Sequence, residues 1–241
     1  MRYLMTFSYD GTNFSGYQKQ PDSRTIQEEI EKCLTMLNSN KFVSISATGR
    51  TDAKVHAFNQ MAHFDLDNEI DNLRLRLNKM LPDDIYVKDV INVSDEFHAR
   101  FDVKSKEYVY FINIGDYDPH KRNYQYQYNK ELDVKKMDEA LKLLIGEHDF
   151  KSFTKANSEI DDYVRTIYNT KVEIKDNIIK ISIEGSGFLR YMVRNIVGLL
   201  IEIGEGKKNI NDVLTILEAK DRTESSPTAP PCGLYLNKIN Y

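Results

Sequence analysis

The sequence is poor in the features that mark secreted, membrane-spanning or metal-holding chains. Among 241 residues there are two cysteines, Cys33 and Cys232. They are too few for a disulfide framework and too far apart in sequence for a metal knuckle. Cys33 falls on the apolar side of a helical pattern, where a free thiol acts as a small hydrophobe. A reducing, cytoplasmic compartment is expected. The five histidines, His56, His63, His98, His120 and His148, lack the close-paired spacing of a zinc site, so no metal is expected. No apolar stretch is long enough to span a bilayer; the longest, Met192 to Ile203, is interrupted by Arg194, Asn195 and Glu202. Met1 to Thr6 lacks the apolar core of a signal peptide. There is no basic excess either. Lys and Arg number 33 against 37 Asp and Glu, a net charge of -4, which taken alone argues against a nucleic-acid binder.

The charge is nevertheless unevenly placed. Acid collects in Asp67 to Asp71 and Glu159 to Asp162. Base collects in Lys104 and Lys106, Lys121-Arg122 and Lys207-Lys208, and singly at Arg50, Lys54, Arg190 and Arg194. A basic cleft on an acidic body fits this pattern, and so does an ordinary mixed surface. With 41% hydrophobic and 29% charged residues, the chain is globular material, long enough for one large domain or two small ones.

Periodicity supplies the plan. Tyr3, Met5, Phe7 and Tyr9 alternate as a strand, ended by Asp10-Gly11. Ile26, Ile30, Cys33, Leu34 and Leu37 recur at helical spacing, with Ser23 or Thr25 available as a cap. Phe42 to Ala47 and Phe58 to Leu66 read as strands around a polar loop, Thr48 to Ala57. Ile70, Leu73, Leu77 and Leu81 line a second helix stopped by Pro82, and Ile85 to Val93 is extended. The second half repeats the order: a strand at Glu107 to Ile114, then a helix capped by Asp133 and closed by Gly146. Strands Arg165 to Lys175 and Ile178 to Glu184 flank an Asp176-Asn177 hairpin signal. A buried helix at Phe188 to Ile203 and a shorter one at Asp212 to Ala219 precede a closing strand, Leu234 to Ile239. The expected fold is therefore α+β. Two ferredoxin-like βαββαβ units, 1-103 and 104-241, would join into a mostly antiparallel central sheet. Helices would pack on one face, with an active-site cleft between the units.

The chemistry concentrates in Thr48-Gly49-Arg50-Thr51-Asp52-Ala53-Lys54-Val55-His56-Ala57. This loop joins two strands and packs a carboxylate, a guanidinium and an imidazole into seven residues. An arginine beside a carboxylate favours its ionised form, as a nucleophile requires. Aspartate is also a common turn residue that bonds its own backbone, so spacing alone leaves both roles open. His56 has two ring nitrogens well suited to local backbone contacts and reads as structural. Tyr124-Gln125-Tyr126-Gln127-Tyr128 has the rings to stack bases, but its alternation favours one face of an extended segment.

Several motifs, in order, carry a resemblance. They are Gly49-Arg50-Thr51-Asp52-Ala53 with Val55-His56-Ala57; Ser8-Tyr9-Asp10-Gly11-Thr12 with Phe14, Gly16, Tyr17 and Gln18; and Leu81-Pro82-Asp83-Asp84-Ile85. Further on come Phe97-His98-Ala99-Arg100-Phe101; Lys106-Glu107-Tyr108-Val109-Tyr110; Gly187-Phe188-Leu189 with Met192-Val193-Arg194-Asn195; Glu218-Ala219-Lys220-Asp221-Arg222; and Thr228-Ala229-Pro230-Pro231 with Gly233-Leu234-Tyr235-Leu236. Together they resemble the bacterial tRNA pseudouridine synthase A family over essentially the whole chain. The resemblance implies that Asp52 is the catalytic aspartate and that Arg50 positions substrate beside it. It implies that Arg194 is a basic residue paired with that aspartate, that Tyr108 stacks on the target uracil, and that Leu234 is an apolar wall of the pocket. It implies a homodimer acting on uridines 38, 39 and 40 of the tRNA anticodon arm, without metal or organic cofactor. The C-terminal unit would complete the site and carry the dimer interface. Two positions depart from the family pattern: Lys54 stands where glycine is usual, and Arg190-Tyr191 replaces a pair that often contains histidine.

Pseudouridine formation is an isomerisation, so it needs no redox partner. The C1'–N1 bond breaks, the base turns, and C5 bonds to C1'. A carboxylate can add to C1' or to uracil C6, or can assist departure through a glycal; the residues do not choose. The target base must leave its stack, and an aromatic face can hold it. Arg50 and Arg194 suit both the carboxylate and RNA phosphate. Two other readings stand beside this one: a non-catalytic RNA-binding protein of two ferredoxin-like units, and a small-molecule hydrolase using Asp52 and His56.

Overall fold

A computed structural model describes residues 1–155 and 160–241. Glu159, counted above with an acidic cluster, lies outside the described residues. In chain order the first elements are β1 (Arg2–Tyr9), α1 (Ile26–Leu37), β2 (Ser46–Ala47), β3 (His56–Asp65), α2 (Leu73–Met80) and β4 (Ile85–Val93). Then come β5 (Ser105–Asn113), β6 (Tyr126–Gln127), α3 (Val134–Lys142), β7 (Gly146–Asp149), β8 (Val164–Lys175) and β9 (Ile178–Gly185). The last are α4 (Met192–Gly204), α5 (Asp212–Ala219) and β10 (Leu234–Asn240). The class is α+β with mostly antiparallel strands.

The chain divides into two compact units, Met1–Lys104 with Tyr235–Tyr241, and Ser105–Leu234. The first crossing from one unit to the other falls between Lys104 and Ser105. By sequence order the closing strand falls in 104-241, but Tyr235–Tyr241 group with the first unit, where Tyr235 and Leu236 pair in parallel with His56 and Ala57 of β3.

In the first unit the strand order is β4-β1-β3-β10, with β2 on β3. β1 is central and antiparallel to both neighbours. Its alternation puts Met5 and Phe7 in the core with Phe64 of β3, where Ile30 and Leu34 of α1 and Leu77 of α2 are also buried. Each such side chain contributes about 1.5–3 kcal/mol by leaving water. α2 is shorter than its apolar pattern suggests: Asn72 sits in the left-handed region at φ 55°, so the helix starts only at Leu73. It ends where Leu81 turns extended ahead of Pro82.

In the second unit the order is β5-β9-β8-β7, antiparallel throughout, with β6 parallel to β5. β8 and β9 flank Asp176-Asn177, whose φ angles of 50° and 60° are those of a tight hairpin turn. Asp133 caps α3 by accepting from Lys136 N. α4 is nearly all buried. It begins four residues later than its apolar run, because Tyr191 takes a left-handed φ of 67°. Tyr110, Ile112, Met137, Phe150, Phe153 and Ile196 fill this core.

Candidate active site

The loop between β2 and β3 is held by backbone hydrogen bonds at Thr48, Gly49, Thr51, Asp52 and Val55. Thr48 N donates to Met61 O at 2.9 Å, and Tyr17 N donates to Thr51 O at 3.1 Å. Gln60 Nε2 donates to Gly49 O at 3.0 Å. A tight turn closes where Val55 N donates to Asp52 O at 3.2 Å. Thr48 Oγ1 shares a 2.6 Å hydrogen bond with the Tyr241 hydroxyl, and Thr51 Oγ1 shares one of 2.7 Å with the Tyr9 hydroxyl. Tyr9 lies in the core, where burial pushes its pKa up to about 12, so the hydroxyl stays neutral and works as a tether. A buried bond of this kind contributes on the order of 1 kcal/mol. Here it fixes the residue next to Asp52.

The segment after β1 packs against the same loop. A Cβ on Gly11 would come within 2.1 Å of Val55 O, and one on Gly16 within 3.1 Å of Thr51 O. Gly16 also has φ +108°, which side chains rarely tolerate. The motif from Ser8 to Gln18 is thus the bed on which the Asp52 loop lies. Thr51 is buried, Asp52 half-buried, and Arg50 and Lys54 exposed. Lys54 takes the left-handed conformation that a glycine would take freely, at φ 64°, and carries a strain of about 1–2 kcal/mol.

His56 is 1% exposed. Its Nδ1 accepts from Gly11 N at 3.1 Å, and its ring stacks on Tyr235 with centroids 4.6 Å apart. The imidazole therefore braces the turn at Gly11, as its sequence context suggests.

The other sequence-predicted residues belong to the second unit. Tyr108 sits in mid-β5 opposite Ile183, largely buried, with the Phe188 ring edge-on at 5.1 Å. Leu234 is buried at the head of β10. It follows Gly233, where a Cβ would lie 2.6 Å from Phe111 O. Arg194 stands in the first turn of α4. Its Nε donates to Ala229 O at 2.7 Å, and Ala229 N donates back to Arg194 O at 3.1 Å. Its guanidinium carbon lies 5.0 Å from the Tyr191 ring centroid, and that of Arg190 lies 5.2 Å from the same ring. Such contacts stabilise by about 0.5–1 kcal/mol at accessible sites. Tyr191, one of the two departures from the family pattern, is thus a ring face offered to two guanidinium groups. Arg50 and Asp52 share one loop of the first unit; Tyr108, Arg194 and Leu234 lie in the second.

Residues that spacing did not single out do the holding: Tyr9, Gly11, Gly16 and Gln60 for the Asp52 loop, and Ala229 for Arg194. Most stand inside the family motifs, which is the signal by which they were findable.

The comparisons with known proteins agree with these motifs. A family model described as tRNA pseudouridine synthase matches residues 5–102 and 140–241. These segments include Arg50, Asp52, Arg194 and Leu234, while Tyr108 lies between them. A tRNA pseudouridine synthase A from a Geobacillus species is 46% identical over 100% of this chain and 98% of its own length. One from Anoxybacillus flavithermus is 46% identical with the same coverage, and one from Streptococcus agalactiae is 44% identical over 100% of this chain and 95% of its own. Among solved structures, one of a Cbf5-Nop10-Gar1 complex covers 82% of this chain and 54% of its own at 14% identity and a TM-score of 0.33, too loose a likeness to assign a fold. The family model and identity along the full length place the chain in the tRNA pseudouridine synthase family.

Proposed function

We propose that this protein isomerises uridine to pseudouridine at positions 38, 39 and 40 in the anticodon stem-loop of tRNA, with Asp52 as the nucleophile. The observation that carries the reading is the Asp52 loop. Backbone hydrogen bonds, a buried Tyr9–Thr51 bond and two close-packed glycines fix a half-buried carboxylate one residue from Thr51 and two from Arg50. An ordinary solvated turn needs no such bed. A nucleophile does, because a group held in reacting geometry avoids the entropy cost of finding it.

Each residue has a proposed part. Asp52 attacks C1' or C6, or assists glycal formation. Arg50 binds substrate phosphate beside it. Tyr108 offers a face to the extruded uracil, Leu234 an apolar wall, and Arg194 a cation for the aspartate and the RNA. The first unit brings the catalytic loop; the second completes the site and carries the interface of a homodimer. We take each unit to be of ferredoxin-like descent, working in the cytoplasm on tRNA with its own side chains alone.

The test is turnover of a tRNA transcript, with pseudouridine mapped by carbodiimide-stop primer extension. Wild-type protein should produce stops at the anticodon arm. Asp52→Ala should lower turnover by at least about 1,000-fold while retaining tRNA binding. An Asp52→Ala protein that still isomerises uridine at the wild-type rate defeats the assignment.

A further inference from the structure

The motif Glu218-Ala219-Lys220-Asp221-Arg222 has no part in the proposed mechanism, yet Arg222 makes a dense set of hydrogen bonds. Its Nη1 donates to Ser225 O at 3.2 Å. Its Nη2 lies within bonding distance of Asn195 Oδ1 at 3.2 Å, Ser226 O at 3.0 Å and Thr228 Oγ1 at 3.1 Å. Two hydrogens on that nitrogen serve three acceptors, so one bond is shared. None of the four acceptors is a carboxylate. The group is half-buried, and burial lowers its pKa; its hydrogen bonds all run to neutral oxygens.

The bonds lead to Arg194. Thr228 Oγ1 donates to Asn195 Oδ1 at 2.6 Å. Asn195, fully buried beside Arg194, donates from Nδ2 to Phe153 O at 2.6 Å and Thr154 O at 3.2 Å. Gly198, one turn along α4, lets Pro227 O approach to where a Cβ would meet it at 1.9 Å. Residues 225–229 are therefore clamped onto α4 by Arg222, and their last member, Ala229, grips Arg194 at both Nε and the main-chain carbonyl. A bond at Nε fixes the plane of a guanidinium whose long stem is otherwise free to rotate.

We infer that Arg222 is a positioning residue: through residues 225–229 it sets the direction of the Arg194 guanidinium for the reaction, without touching RNA. This rests on the proposed role of Arg194, and the test separates the two. Turnover of a tRNA transcript is measured for the full chain as wild type, Arg222→Gln, Arg194→Gln and the double variant. Arg222→Gln should lower kcat by about 100-fold, the scale of a misplaced group, with KM changed by less than about threefold. The double variant should match Arg194→Gln within about twofold, because a residue that acts only through Arg194 has nothing left to lose. A purely structural role predicts instead that the two losses multiply; that result, or an unchanged kcat in Arg222→Gln, overturns the inference. If Arg222→Gln does not fold by circular dichroism, the same cycle is run with Arg222→Lys. That variant keeps the charge but not the planar fork; its expected loss is about tenfold, and the same criteria apply. If Arg194→Gln turns over like wild type, the role of Arg194 falls and this inference with it. An impaired Arg194→Gln with multiplying losses overturns the inference alone.

Discussion

At Gly16 a methyl group would meet two obstacles at once. The backbone has φ +108°, and the new carbon would lie 3.1 Å from Thr51 O and 3.3 Å from Ala53 N. Gly206 offers a natural control, with φ +77° and open space for 4 Å around the point where a Cβ would stand. Gly206→Ala should therefore cost only the conformational strain, about 1 kcal/mol in urea denaturation, with turnover unchanged. Gly16→Ala should cost more, about 2 kcal/mol, and should also lower kcat, because its only relief is to move the backbone on both sides of Asp52. Equal effects of the two substitutions on kcat would show that the close approach is irrelevant to the loop. Lys54, at φ 64°, shows that this loop tolerates left-handed strain at one of its own positions. The bed beneath it is what cannot shift.

At the scale of elements, β3 ties the loop to a titrating group. His63 is 7% exposed, and its Nδ1 accepts from Ala99 N at 3.1 Å. Burial, His98 and Arg2 hold its pKa below the ordinary 6.5, against the weaker opposing pull of Asp65 and Asp102. The folded unit thus keeps a neutral imidazole that the unfolded chain protonates more readily. Stability rises with pH through this window: its contribution is present above 6.5 and is lost as pH falls through the depressed value. Urea midpoints measured downward from pH 7.5 should fall, and His63→Gln, which keeps an acceptor for Ala99, should flatten the fall. A slope unchanged in that variant would assign the pH dependence elsewhere.

Elements were legible in the sequence where periodicity was long and uninterrupted: β1, α1, β8, β9 and the body of α4. They were misjudged where side chains outbid the backbone. Phe42 to Ala47 alternates like a strand, but only Ser46 and Ala47 pair as one. Val43 N bonds Thr35 Oγ1 and Ile45 N bonds the buried carboxylate of Glu31, so two of its amides are spent on α1. Left-handed residues at Asn72 and Tyr191 shortened two helices whose apolar spacing continues past them; nothing in spacing reports a φ angle. At the candidate site, the motifs named Asp52 and Arg194. The Tyr9–Thr51 tether and the Arg222 clamp were invisible, because they join residues 42 and 27 positions apart through single side-chain atoms.

For the whole molecule, the proposed homodimer gives a mass near twice 28.1 kDa, measurable by light scattering at micromolar concentration. A monomeric mass there would remove that part of the proposal. The net charge of -4 adds a second expectation for tRNA binding. Affinity should fall only modestly with salt, since an acidic body relies on a few local phosphate contacts and the slope scales with the counterions they release.

The parallel pairing of Tyr235 and Leu236 with His56 and Ala57 sets a clock on biosynthesis. These partners are 179 residues apart (235 minus 56). At ribosomal rates the Asp52 loop is made roughly 10–35 seconds before the strand that braces its far end. A nascent chain therefore carries its carboxylate, and waits for both the Tyr235 ring against His56 and the Tyr241 hydroxyl against Thr48. A polypeptide interrupted before Tyr235 holds the Asp52 loop without its brace.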